Sequence, residues 1–570
     1  MQKGISKLQI RAEVLMMLQQ LSDFDDIPKS ELEKCLTQIN SYNNLDSVLE
    51  VLLKELPRSE FKMMQVIAYF LVELGTLEKL KDQLWEYIKD PASSDVLKDL
   101  SGIILKSHGD TSTPDELLSY LENPDELVDS ETQKLLEIAA INPEAQIDFL
   151  DFLFSLPPDE QINLVNSLKE DFSNKHLANV FIPVLESNPS EELSSVIVES
   201  MGEIRSPYAV SCLNDIIEYS KSENLRKLAK KSLQMLKISG IDLQESLTLQ
   251  LGAEVCANSK IYKCYASIID GAGNQGIIIS RKKDNGDILT FSTVINDQDG
   301  ILDCFGFFGI SNNDYVRIIK KFQGELAAVP VSPEYCKCKL IKSEKINKTN
   351  NIPIRYEYLS WKGLICDVEP LKIDKIFKDI SHWVEPVYFG ALGVIFSHPE
   401  LKYWFLGEEH SDYMKKFLAE ILQDILQNQS NYVLDRTTLL KYLDNKVKSA
   451  IPEIFNPDLI NIYEKRLSEV AYLFDIQGIE LLRNIAASIA VQLKEQKDQA
   501  SQVMFFDYIL KKSIIEHIIR CQYKQEQNTS TKTASLWGKK DKTENRESIV
   551  YNLTDIIDIL NNEWRKEEND

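Results

Sequence analysis

Between residues 140 and 240 apolar positions recur at spacings of three and four, the period of a helix with one buried stripe. Displaced by 32 residues, HLANVFIPVLESNPSEELSSVIVESMGEI falls on YAVSCLNDIIEYSKSENLRKLAKKSLQML. In that register Leu177, Phe181, Val184 and Leu185 meet Ala209, Leu213, Ile216 and Ile217. Likewise Leu193, Val196, Ile197, Met201 and Ile204 meet Leu225, Leu228, Ala229, Leu233 and Leu236. Each unit reads as two amphipathic helices. Ser190 and Ser222, each followed by an acid, are expected to cap the second helices, and Pro207 to open a first one. One unit earlier Ala145, Phe149, Phe152 and Leu153 hold the same phase, and helical stripes continue upstream from Leu45 to Ala140. At about 32 residues per pair, residues 1–240 accommodate roughly seven helix pairs, each able to bury its stripe only against its neighbours, as in a solenoid.

The segment VIVESMGEIRSPYAVSCLNDIIEYSKSENLRKLAKKSLQML resembles HEAT repeats of the kind common in bacterial proteins, with Pro207 opening a first helix and Arg226 early in the second. Ser194 stands at the place of Arg226 one unit earlier. The resemblance implies an armadillo-like α-solenoid that binds another protein. Function on such an array belongs to the exposed face of the second helices, where Ser195 and Glu199 in one unit correspond to Lys227 and Lys231 in the next. That alternation of sign suits a specific partner of mixed charge.

From about residue 260 the pattern changes to short runs rich in β-branched and aromatic residues: IYKCYASII, GIIISRK and ILTFSTVI, bounded by DGAGNQ, KDNGD and NDQDG. GAGNQG, residues 271–276, matches G-x-G-x-x-G, but a dinucleotide fold needs a helix after the third glycine. Ile277, Ile278 and Ile279 predict a strand instead, which makes the glycines part of a hairpin turn. A kinase-like glycine loop is disfavoured too, because ILTFSTVI has no lysine and no His-Arg-Asp loop follows. Asn296, Asp297, Asp299 and Asp303 fail the calcium-loop pattern at Ile295 and Gly306 and read as a solvated turn. If the domain holds a ligand, these residues with Asp270, Asn274 and Arg281 are the candidate site, since they lie at strand ends. Two helices are expected next, NNDYVRIIKKFQ and EYCKCKLIKSEKI. On the second, Cys336 and Cys338 stand about 200° apart and cannot grip one metal together.

Helical spacing returns after 370, in MKKFLAEILQDILQ, TTLLKYLDNKV, LINIYEKRLSEVAYLF, IELLRNIAASIAVQL and FFDYILKKSIIEHII. His382, His398, His410, Glu385, Glu408 and Glu409 are metal-type ligands without metal-type spacing, so no metal and no cofactor is assigned. Residues 525–548 are polar and read as a flexible linker. Val550, Leu553, Ile556, Ile557 and Leu560 then mark a terminal amphipathic helix that either folds back onto its own chain, the favoured reading, or docks in a groove of another.

Charge sharpens this division. The chain carries a net charge of -24, but residues 1–240 hold 41 acidic and 23 basic side chains, whereas residues 251–366 hold 12 acidic and 15 basic. Nucleic acid is therefore disfavoured as a partner of the N-terminal part, and docking between the two parts is the simplest use of the middle surplus. The nine cysteines lack framework spacing, the N-terminus lacks a signal-peptide pattern, and no run is long enough to span a membrane, which together suggest a cytoplasmic protein with reduced thiols.

The expected architecture is mainly α: a HEAT-like solenoid over 1–240, a connector over 241–259, a small α+β domain over 260–366, a helical domain over 367–524, the linker over 525–548 and the terminal helix over 549–566. The favoured function is a non-enzymatic scaffold or adaptor. The alternative is an enzyme or ligand-binding module in 260–366, with the solenoid recruiting substrate.

Overall fold

The computed structural model describes residues 7–24, 26–42, 44–110, 117–123, 136–171, 174–187, 189–243, 255–326, 328–372, 380–386, 389–399, 401–495, 503–535 and 553–567. The protein is mainly helical, with one antiparallel sheet near the middle of the chain. The first helices are α1 (Lys7–Ser22), α2 (Lys29–Asn40), α3 (Leu45–Glu55), α4 (Phe61–Leu74), α5 (Leu77–Lys89) and α6 (Asp95–Ser107). Next come α7 (Pro143–Ser155), α8 (Pro158–Asp171), α9 (Asn174–Glu186), α10 (Glu191–Ile204), α11 (Ala209–Tyr219) and α12 (Glu223–Ile238). Their apolar stripes form two cores, one from Ile10 to Leu105 and one from Leu136 to Leu236.

Every apolar pair of the 32-residue shift from Leu177 to Leu236 lies in the second of these cores or packs against it, whereas Phe152, expected on the same stripe one unit earlier, is 54 % exposed. The caps are formed as well: Ser190 Oγ accepts from Leu193 N and Ser222 Oγ from Leu225 N, both at 3.2 Å. Ser222 Oγ also donates to Glu191 Oε1 at 2.7 Å, tying the start of α12 to the start of α10. Pro207 is displaced from its expected place. It lies in a tight turn closed by Ala209 N to Ser206 O and Val210 N to Pro207 O, and α11 begins only at Ala209. Replacing Ser222 by alanine should cost about 1 kcal/mol locally, read as roughly fivefold faster amide exchange in the first turn of α12 with no change in the sheet.

Five strands, β1 (Ser259–Ala266), β2 (Asn274–Lys283), β3 (Ile288–Asn296), β4 (Gly300–Ile310) and β5 (Val329–Val331), form an antiparallel sheet of order β4-β3-β2-β1-β5. Helix α13 (Asn312–Leu326) makes the crossover to β5, and α14 (Pro333–Asn350) and α15 (Tyr356–Trp361) follow. Side chains alternate between faces along a strand, so the isoleucine run serves two cores. Ile277 and Ile279 enter the large one, while Ile278 packs with Tyr265, Ile288, Tyr315 and Ile319 under α13. Both faces are covered, which is why the strand reads as a continuous apolar run rather than an alternating one.

The C-terminal helices are α16 (Phe389–Phe396), α17 (Asp412–Leu434), α18 (Arg436–Ile454), α19 (Pro457–Gln477), α20 (Glu480–Glu495), α21 (Met504–Ser535) and α22 (Thr554–Glu567). The change of element type near 366 is not a break in packing, because one core runs from Val255 through the sheet to Leu560. Helix α21 continues to Ser535, into the stretch expected to be linker; 536–552 lie outside the described residues. Leu553, Ile556, Ile559 and Leu560 of the α22 segment are buried in the same core, with α22 against α17 and α21. Among the described residues no helix is long and apolar enough to cross a membrane.

Candidate functional site

The middle module meets the N-terminal helices mostly through array carboxylates facing module donors, with Lys29 N on Asp287 as a contact of the reverse sense at 2.9 Å. Asp215 on α11 binds Lys348 at the end of α14 at 2.6 Å, Glu186 on α9 binds Lys362, and Asp151 on α7 receives the Tyr356 hydroxyl. Glu144 accepts from Phe308 N at 3.0 Å, and Asp26 accepts from Asn285 Nδ2 at 2.8 Å. Burial alone would lower the Lys348 ammonium, but Glu186 and Asp215 outweigh it and hold its pKa above the ordinary value. Glu344, beneath them, is raised by burial and lowered more by Lys362 and the Tyr358 hydroxyl, so it stays below the usual carboxylate range. At Asp215–Lys348 and Glu186–Lys362 the two parts thus neutralise each other's charge.

Beside these pairs a cleft of about 250 Å³ opens between the array and the end of α14. Its apolar lining includes Pro189, Ile216, Leu225 and Ile352; Glu191, Lys221 and Lys348 supply both signs of charge, and Tyr219, Ser220 and Asn351 supply neutral polar groups. The cleft borders the starts of α10 and α12. Ser195, Glu199, Lys227 and Lys231 lie on these two helices. Ser195 Oγ donates to Glu191 O at 2.7 Å, Lys227 meets Glu223 at 2.9 Å, and Lys231 meets Glu199 at 3.9 Å across the two helices. All four are solvent-exposed or partly so, and exposed pairs of this kind are worth little to stability, which leaves them free to exchange partners.

The candidate ligand residues of the sheet separate into groups. Asp270, Asn274, Asn296 and Asp297 come together at the glycine turn. Asp270 Oδ1 accepts from Ala272 N and Asn274 N, and Asn296 Nδ2 donates to Ala272 O and to Asn274 Oδ1. Arg466 on α19 closes the knot, with Nε 2.7 Å and Nη2 2.8 Å from the Asp297 carboxylate and Nη1 on Gly271 O. Gly273 has φ of +94°, and a Cβ there would collide with Asp297 and Arg466; one on Gly271 would collide with Trp404. The glycines therefore admit the C-terminal helices to the turn. Asp299 is held by its carbonyl, which accepts from Asn347 Nδ2 at 3.2 Å, and Asp303 Oδ1 accepts from Cys304 N.

Arg281 lies at the other end of β2. It is 1 % exposed and forms a bidentate pair with Asp367, at 2.8 and 3.0 Å. Next to that pair, Cys256 and Cys366 approach to 3.3 Å between sulfurs, although 110 positions separate them. No local spacing in the sequence announces this group. The histidine window is dispersed: His398 packs edge-on against Phe474, Glu385 accepts from Asn484, and Glu408 lies 3.3 Å from His517 on α21. Among the described residues, the cluster with donor atoms close enough to share a metal is Cys256, Cys366 and Asp367. No family model, no curated protein and no solved structure matches the chain.

Proposed function

We propose that the chain is a non-enzymatic protein-binding scaffold of HEAT-like design. The cleft at the junction of the array and the middle module carries this reading: it combines an apolar floor with charges of both signs and continues onto the open surface of α10 and α12. Such a surface suits an extended segment of a partner protein, with apolar side chains seated between Ile216, Leu225 and Ile352 and charged flanks exchanging with Glu199, Lys227 and Lys231. The opposite contacts of the array are already taken by the sheet and α15, so the partner's place is on the second helices and at the cleft.

The test is affinity capture of the full chain from native lysate beside two full-length variants. Lys227→Glu with Lys231→Glu reverses exposed charges, and Ile352→Trp fills the cleft. A partner retained by the native chain should drop at least tenfold with either variant. Equal recovery with all three proteins, or no partner with any, would refute the proposal.

A further inference from the structure

Arg281 stitches together the two segments that enclose the middle module. Its Nε donates to Ser259 Oγ at 3.0 Å, Nη2 to Ser259 O at 2.8 Å and to Cys256 O at 3.3 Å, and Nη1 to Leu364 O at 3.0 Å, while both nitrogens hold Asp367. The segment entering β1 and the turn after α15 are thereby fixed side by side. Their cysteines face each other at 3.3 Å, against the 2.05 Å or so of a disulfide, so a small side-chain movement would join them. Both residues are partly exposed, unlike Cys264 and Cys336, which are buried in the core.

We propose that Cys256 and Cys366 form a reversible dithiol–disulfide pair that fastens the two ends of the middle module, closed by a hydroperoxide and reopened by a dithiol. Cys256 has Gly363 O at 3.6 Å and Asp367 Oδ1 at 3.3 Å within reach besides the Cys366 sulfur, which places it as the donor of the pair. Cys366 is then the attacking sulfur: the hydrogen bond with Cys256 lowers its pKa, with Arg281 assisting against burial and Asp367, and the same bond raises the Cys256 thiol. The Cys366 thiolate attacks the terminal peroxide oxygen, the O–O bond breaks, and the sulfur becomes a sulfenic acid as alcohol or water departs. Cys256 then attacks that sulfur, the S–S bond forms, and the sulfenic oxygen leaves as water with the Cys256 proton. Two thiols and one hydroperoxide thus give one disulfide, one alcohol or water and one further water.

The same three side chains could be taken for a zinc site. The charge already present opposes that reading, because both Asp367 oxygens are committed to a guanidinium that stays protonated, and a cation would have to sit beside it.

The experiment exposes the native full chain to hydrogen peroxide, blocks free thiols and identifies linked peptides by mass spectrometry. A Cys256–Cys366 peptide should account for most of both cysteines, disappear on treatment with dithiothreitol and leave Cys264 and Cys336 reactive only after denaturation. In Cys256→Ser, dimedone should label Cys366 as a trapped sulfenic acid; in Cys366→Ser, labelling of Cys256 should be at least tenfold weaker. Oxidation of Cys35 without the linked peptide would overturn the proposal. So would one equivalent of zinc in the purified reduced chain that is lost in Cys256→Ser.

Discussion

Replacing Glu469 by alanine should destabilise the protein by about 3–5 kcal/mol, the usual consequence of removing one member of a buried ion pair. Glu469 on α19 accepts from Lys339 Nζ at 2.7 Å and from Tyr335 Oη at 2.5 Å, and the charged side chains are 5 % and 8 % exposed. Tyr335 in turn accepts from Gln275 Nε2 on β2 at 2.9 Å. The alanine variant would leave an ammonium and a hydroxyl without their acceptor inside the core that joins the sheet to the C-terminal helices. Replacing both ends, as Glu469→Leu with Lys339→Met, should recover most of the loss, because the cost lies in the orphaned charge. Urea unfolding of the three proteins decides this, and a single-variant loss below about 1 kcal/mol would refute it.

The same pair sets a pH dependence. Burial alone would raise the Glu469 carboxyl, but Lys339 and the Tyr335 hydroxyl outweigh it and hold the pKa below the ordinary 4.5. A carboxyl depressed in the folded state stabilises fully above its unfolded pKa, and that contribution is lost as the pH falls through the folded value. The native protein should therefore weaken below about pH 4.5, while Glu469→Gln should show a flatter acid limb.

The second large effect is expected at the glycine turn. Gly273→Ala should cost several kcal/mol, beyond the roughly 1–2 kcal/mol of forcing an L-residue to positive φ, because the new Cβ displaces Arg466 from Asp297. Gly286 is the internal control. Its φ is +99°, and a Cβ there would meet nothing within 4 Å, so Gly286→Ala carries the backbone cost alone. Losses equal within about 0.5 kcal/mol would show that close approach does not matter at Gly273. In an Arg466→Ala background the difference between the two glycine variants should shrink.

These positions show how far the sequence could be read. Short-range periodicity was a sound guide: Ser190, Ser222 and the paired apolar positions from Leu177 to Leu236 obey rules that act within one or two turns. Ile277–Ile279 read as a strand for the same reason, since three consecutive β-branched residues favour extended backbone over the helix a dinucleotide fold needs. Strand β4 was missed because GILDCFGFFGI mixes glycine and aspartate into its alternation, and β5 because three residues carry no period. The extension of α21 to Ser535 runs through polar sequence with no apolar stripe to announce it. What joins distant segments was least legible. Arg466 with Asp297, Glu469 with Lys339 and Cys256 with Cys366 are each paired across more than a hundred positions, and nothing in the immediate neighbourhood of either partner records the other.

The β2–β3 hairpin has a mechanical consequence. Ten residues of β2 at about 3.3 Å each make a rod roughly 30 Å long, braced by hydrogen bonds to its neighbours. One tip is gripped by the start of α2, through Lys29 N on Asp287, and by Asp26 on Asn285; the opposite tip is gripped by Arg466. A paired ladder resists stretching along its length better than a loop does, so the hairpin ties the start of α2 to the glycine turn more stiffly than an unpaired segment would. The hairpin thus joins α2 to α19, far apart in the sequence, through one continuous ladder.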